Sequence, residues 1–91
     1  MDLIIETSDY VFSLDGMGLA FVSIFMANTL KVYVKEGTYH LTKKEIQMLI
    51  EYLEKQQLEF QNQNYFVSIL DKFKSMEMLM EGKEKAKFTF W

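Results

Sequence analysis

The chain is 91 residues long, 49% apolar and 15% aromatic, with no cysteine and no proline; that is material for one small packed domain, residues 1–91, and it leaves out disulfide staples and thiolate metal sites. The net charge of −3 is unevenly placed: residues 1–30 hold Asp2, Glu6, Asp9 and Asp15 and no base, and all ten basic residues beyond them are lysine. An acidic chain without arginine lacks the basic face that nucleic-acid binding draws on, so direct contact with nucleic acid is set aside.

Leu3–Glu6 and Tyr10–Leu14 are short runs rich in β-branched and aromatic residues with Thr-Ser-Asp between them, which predicts two strands joined by a turn. Asp15-Gly16-Met17-Gly18 follows as a further turn. Leu19–Met26 is apolar at nearly every position, a pattern shared by a strand buried on both faces and a short buried helix. Its Phe, Val and Ile content favours the strand. From Thr29 to Lys35, Leu30, Val32 and Val34 alternate with Lys31 and Tyr33, as in a half-buried strand. Thr38–Leu41 then leads as a short strand into a helix, so the first half reads as an antiparallel meander.

That helix, residues 42–57, carries the most specific local signal in the chain. Thr42 and Glu45 form a T-x-x-E capping box, in which each side chain takes the other residue's free amide. Ile46, Leu49, Ile50 and Leu53 recur at helical spacing and define one apolar stripe. Glu51 and Lys55 stand at i, i+4 in the favourable order. Met48 and Tyr52 lie beside the stripe, either at the edge of the core or in contact with a partner.

Leu58-Glu59-Phe60 extends the helix or begins a strand, and Asn62-Gln63-Asn64 reads as a turn. Between 65 and 81 two patterns compete. Phe66, Ile69, Leu70, Phe73, Met76 and Met80 share a helical face, whereas Tyr65–Ile69 has high β propensity and Met76, Met78 and Met80 alternate with Glu77, Leu79 and Glu81. The strand reading is the one favoured, with Glu81–Lys85 as a hairpin turn, and the alternative is a second helix over 65–81 followed by a terminal strand. Ala86–Trp91 alternates as a strand. The expected fold class is thus α+β, an antiparallel meander packed against one central amphipathic helix.

No chemistry stands at a diagnostic spacing. His40 is the sole histidine and lacks partners for a metal site or an identifiable acid or nucleophile. Gly82-Lys83 lacks the remainder of a phosphate loop, Gly16 and Gly18 lack the strand–helix context of a dinucleotide site, and no calcium-loop repeat of acids occurs. The chain is read as non-enzymatic, with no cofactor and no metal called for. Its longest apolar run, Met17–Ala27, is too short to span a bilayer. The acids at its N-terminus are unlike a signal peptide, so the expected compartment is cytoplasmic.

What is left is surface. Seven methionines, eight phenylalanines, five tyrosines and one tryptophan are more contact-forming side chains than a thin core readily hides, and such residues are favoured at protein interfaces. Asp2, Glu6, Asp9 and Asp15 suit a larger protein partner with a basic surface through complementary potentials. Met48, Tyr52, Met78 and Trp91 are the candidate apolar contacts. The absence of prolines that would guard sheet edges also leaves a homodimer built by strand pairing open.

The segment Tyr39-x-Leu41-Thr42, then Glu45-Ile46 with Leu49, Ile50, Tyr52 and Leu53, placed between strand-like sequence on both sides, resembles small bacterial immunity proteins of the WapI type over about half the chain. The resemblance implies a non-catalytic inhibitor that neutralises a toxin by occluding it. A phage or mobile-element inhibitor of a host defence complex, anti-CRISPR-like, would rest on the same small, acidic, contact-rich surface. A small enzyme or ligand-binding module is the reading from another class.

Overall fold

The computed structural model of the chain describes residues 1–59 and 64–91. Its elements run β1 (Leu3–Glu6), β2 (Val11–Leu14), α1 (Gly16–Thr29), β3 (Gly37–Thr42), α2 (Lys43–Glu59), α3 (Asn64–Leu79) and β4 (Lys85–Phe90). The class is α+β: the described residues form one four-stranded antiparallel sheet in the order β2-β1-β4-β3, with three helices.

β1 and β2 form a hairpin in the register Leu3↔Leu14 and Ile5↔Phe12, closed by the Thr7 amide on the Tyr10 carbonyl at 2.8 Å. The sheet is not a meander. β4, the last element, inserts between β1 and β3, pairing Ile5↔Phe88 on one side and Tyr39↔Phe88 on the other. Alternation then sends Leu3, Ile5, Phe12, Leu14, Leu41, Ala86, Phe88 and Phe90 to one buried face.

Against that face lie α2 and α3. The capping box forms as its residues require: the Thr42 amide donates to Glu45 Oε1 at 2.8 Å and the Glu45 amide to Thr42 Oγ1 at 3.2 Å. Ile46, Leu49 and Leu53 are buried, and Ile50, Met48 and Tyr52 are half-buried at the rim of the core. Glu54 pairs with Lys74 at 3.3 Å and Gln47 donates to Glu77 at 2.8 Å, stitching α2 to α3 on their solvent side. Phe73 of α3 meets the sheet between two rings, edge-on to Phe12 at 5.1 Å and stacked with Phe88 at 6.4 Å. Each such fully buried ring contributes roughly 1.5–3 kcal/mol of apolar burial.

Three predicted strands are absent. Leu19–Met26 lies inside the helix α1, whose Gly18, Val22, Phe25 and Met26 face the core at helical spacing. A run apolar on all sides carries no period to separate helix from strand, so neighbours decide it. Phe21 packs edge-on to Phe66 at 5.1 Å, and Phe25 lies 5.7 Å from the Tyr52 ring. The stretch 30–36 forms no strand and pairs with none in the sheet. Lys31 takes a positive φ of 59° at the end of α1, and the Val32 amide turns back onto the Met26 carbonyl at 2.9 Å. Its alternating Val32 and Val34 rest on the core without a ladder.

The stretch 65–79 is helical, close to the alternative reading of a helix over 65–81, with Met80 and Glu81 past its end. Phe66, Ile69, Leu70, Phe73 and Met76 are buried along α3, and Glu81–Lys85 joins that helix to β4 instead of forming a hairpin turn. The apolar face at helical spacing prevails over local β propensity because it can be buried whole against α2 and the sheet. Asn64, read as part of a turn, opens α3; Phe60, Asn62 and Gln63 lie outside the described residues.

Candidate functional site

Because the buried faces of the helices converge on one side of the sheet, its other face is left without a cover among the described residues. Register arranges that face in rows. Ser13, Ile4, Thr89 and Thr38 form one, and Val11, Glu6, Lys87 and His40 the next. Asp2 and Trp91 continue the ladder beyond the last assigned pair, the Asp2 amide donating to the Trp91 carbonyl at 2.7 Å and the Trp91 amide to the Asp2 carbonyl at 3.0 Å. The Trp91 backbone is therefore held in the sheet, and its side chain falls on the open face by alternation with buried Phe90 and Phe88.

At this end of the face an open cleft of about 340 Å³ is lined by Asp2, Ile4, Ser13, Leu14, Asp15 and Trp91. Asp15 occupies the N-cap position of α1 yet makes no side-chain capping bond. The turn is closed by Tyr65 instead, whose hydroxyl accepts the Gly18 amide at 3.3 Å and donates to the Asp15 carbonyl at 3.1 Å. Among the described residues neither the Asp2 nor the Asp15 carboxylate is in an ion pair, and no basic side chain lines the cleft.

The charge of the open face is polarised. Glu6 is answered by Lys87 at 3.6 Å, and Lys85, Lys87 and His40 gather toward the far corner. The four N-terminal acids consequently do not form one surface. Asp2 and Asp15 meet at the Trp91 cleft, and Glu6 sits mid-face in its ion pair. Asp9 lies in the β1–β2 turn, at a second cleft of about 320 Å³ with Ser8, Glu81, Lys83 and Glu84. There Glu84 Oε2 accepts both the Ser8 amide at 2.7 Å and the Ser8 hydroxyl at 2.6 Å, and these bonds hold its carboxyl below the usual range.

The apolar candidates are equally dispersed. Met48 and Tyr52 line a shallow cleft of about 210 Å³ with Phe25 of α1. Tyr52 is engaged there with the Phe21 and Phe25 rings, and its burial pushes the hydroxyl pKa up. Met78, near the end of α3, is 79% exposed and lines none of these clefts. Of the eight residues singled out from the sequence, Asp2, Asp15 and Trp91 come together, with Glu6 on the same face. Ile4, Ser13 and Leu14 complete the cleft and were not among them. Alternation along β1 was a signal for Ile4, since it shares a face with Asp2 and Glu6.

No group of three or more histidine, aspartate or glutamate side chains that could hold a metal ion occurs among the described residues. Nor is any helix among them long and apolar enough to cross a membrane. Compared with protein-family models, with characterised proteins and with solved structures, the chain matches none.

Proposed function

We propose that the chain is a non-enzymatic protein-binding domain that inhibits a larger, basic partner by occlusion, using the open face of its sheet. One observation carries the reading: on the face that the helices leave bare, the tryptophan and two unpaired carboxylates, Asp2 and Asp15, share one cleft. Exposed aromatic side chains ringed by polar groups are typical anchors of protein interfaces, and a net negative end steers a basic partner onto them. An immunity protein that neutralises a toxin is the form of this activity in keeping with the Tyr39–Leu53 pattern. In that case the acidic end of the face covers a basic cleft of the toxin.

The test is capture of partners by the tagged chain, followed by an assay of the captured protein's own activity. The reading requires a basic partner whose activity falls stoichiometrically on addition of the chain. Its binding should weaken steeply with salt and drop at least tenfold on Trp91→Ala combined with Asp2→Asn. A partner that binds this variant as well as the wild type, or keeps full activity in the complex, defeats it.

A further inference from the structure

Within the protein-binding reading, on which this step rests, we infer that the cleft at Trp91 seats one basic side chain of the partner, an arginine in preference to a lysine. Trp91 is 58% exposed although its backbone is bonded to Asp2, just before β1, so the indole is presented from an anchored backbone. Ile4, half-buried on the open face, supplies apolar surface for the stem of a long side chain, and Asp2 and Asp15 supply the rim.

Charge decides the chemistry of the occupant. Every other acid on the open face has a cation to answer it, Glu6 having Lys87 at 3.6 Å; Asp2 and Asp15 have none among the described residues. The partial positive charge at the N-terminus of α1 offsets part of one carboxylate and leaves the cleft net negative. A flat guanidinium stacks on an indole while its edge donates to carboxylates, which an ammonium on a flexible stem does less well. The volume of about 340 Å³ lies at the low end of the roughly 300–1,000 Å³ range of small-ligand sites, room for one side chain and not a folded segment. An acidic peptide, a phosphate or nucleic acid is repelled by the same two carboxylates.

Trp91 is the chain's sole tryptophan, so the site carries its own reporter. The full chain, ¹⁵N-labelled, is titrated at low salt with hexa-arginine, hexa-lysine and hexa-glutamate peptides while Trp91 emission and backbone amide shifts are followed. The expected result is a saturable emission change with hexa-arginine, a weaker one with hexa-lysine and none with hexa-glutamate, with the largest amide shifts at Asp2, Asp15 and Trp91. Asp2→Asn with Asp15→Asn should weaken the hexa-arginine titration at least tenfold, and Glu6→Gln with Asp9→Asn less than threefold. All four positions are at the surface or in the strand-flanking turns, and unchanged amide spectra of the free variants confirm the fold. If both double variants weaken binding equally, the peptide follows diffuse charge; the cleft assignment is then overturned and the protein-binding reading stands. Shifts confined to α2, or none anywhere, overturn both. A dimer in sedimentation that buries Trp91 and is abolished by Asp2→Asn with Asp15→Asn overturns the separate partner in favour of a lysine from a second copy.

Discussion

The Tyr65 hydroxyl, carried by α3, takes the place of an N-cap side chain for α1, accepting the Gly18 amide at 3.3 Å while donating to the Asp15 carbonyl at 3.1 Å. One phenol thus ties the start of one helix to the first turn of another. Tyr65→Phe removes both bonds and keeps the ring, and it should lower stability by about 0.5–1.5 kcal/mol, the usual net value of a hydrogen bond. A shift in the urea midpoint at unchanged slope is the measurement; an unmoved midpoint shows that water serves the Gly18 amide as well.

At Gly18, side chains of α3 crowd the backbone of α1. A Cβ built there would stand 2.8 Å from Ile69 Cδ1 and 3.0 Å from the Tyr65 hydroxyl. Alanine gains about 0.8–1 kcal/mol of helix propensity over glycine, but crowding of this kind costs about 1–3 kcal/mol. Gly18→Ala should therefore be net destabilising in thermal melts, in contrast to an ordinary glycine on an exposed helix. A stabilised variant would mean that the Ile69 end moves aside freely.

The capping box makes a second local prediction. Thr42→Ala leaves the Glu45 amide without its acceptor and should cost about 0.5–2 kcal/mol. Glu45→Gln retains an oxygen for the Thr42 amide, so it should cost less than Glu45→Ala. Chemical denaturation of the three variants, compared under one condition, checks the order.

Phe73 is fully buried between Phe12 and Phe88. Its truncation to alanine should cost about 3–5 kcal/mol, a large part of the roughly 5–15 kcal/mol that small domains have. The expected readout is a loss of cooperative unfolding near physiological temperature, with Phe73→Leu intermediate. Wild-type stability in the alanine variant would place the core elsewhere.

The Ser8–Glu84 contact predicts a pH dependence with a definite sign. Its hydrogen bonds lower the Glu84 carboxyl pKa in the folded chain, first through the Ser8 hydroxyl. The unfolded state therefore binds the proton first on acidification. The stabilisation is full above the ordinary carboxylate range and is lost as pH falls through the lowered folded value. The difference in melting temperature between wild type and Glu84→Gln should be present at neutral pH and close toward strong acid. A gap that is flat across this range, or that widens in acid, refutes the linkage.

The open face was only partly legible beforehand. Asp2, Asp15 and Trp91 stand out as an acid-rich beginning and an aromatic end, yet nothing local says that they meet. They meet because β4 closes the sheet beside β1 and brings the end of the sequence back to its start. For the same reason Glu6 and Asp9, near neighbours of Asp2 along the chain, are separated from it by an ion pair and a turn.

What the amino-acid order determined alone was whatever short-range rules control. The Thr42–Glu45 cap and the Ile46, Leu49 and Leu53 stripe specify α2, the β1–β2 hairpin follows from two β-branched runs and a polar turn, and the alternation of Ala86, Phe88 and Phe90 specifies β4. Tertiary structure decided the segments whose local signals conflict or are silent. Leu19–Met26 is apolar all round and 65–79 fits two periods, and both became helices because Phe21, Phe25, Phe66 and Phe73 bury most surface when stacked on the sheet and on α2. The Trp91 cleft belongs to the same class, since its residues lie at opposite ends of the chain and only strand pairing between those ends can assemble it.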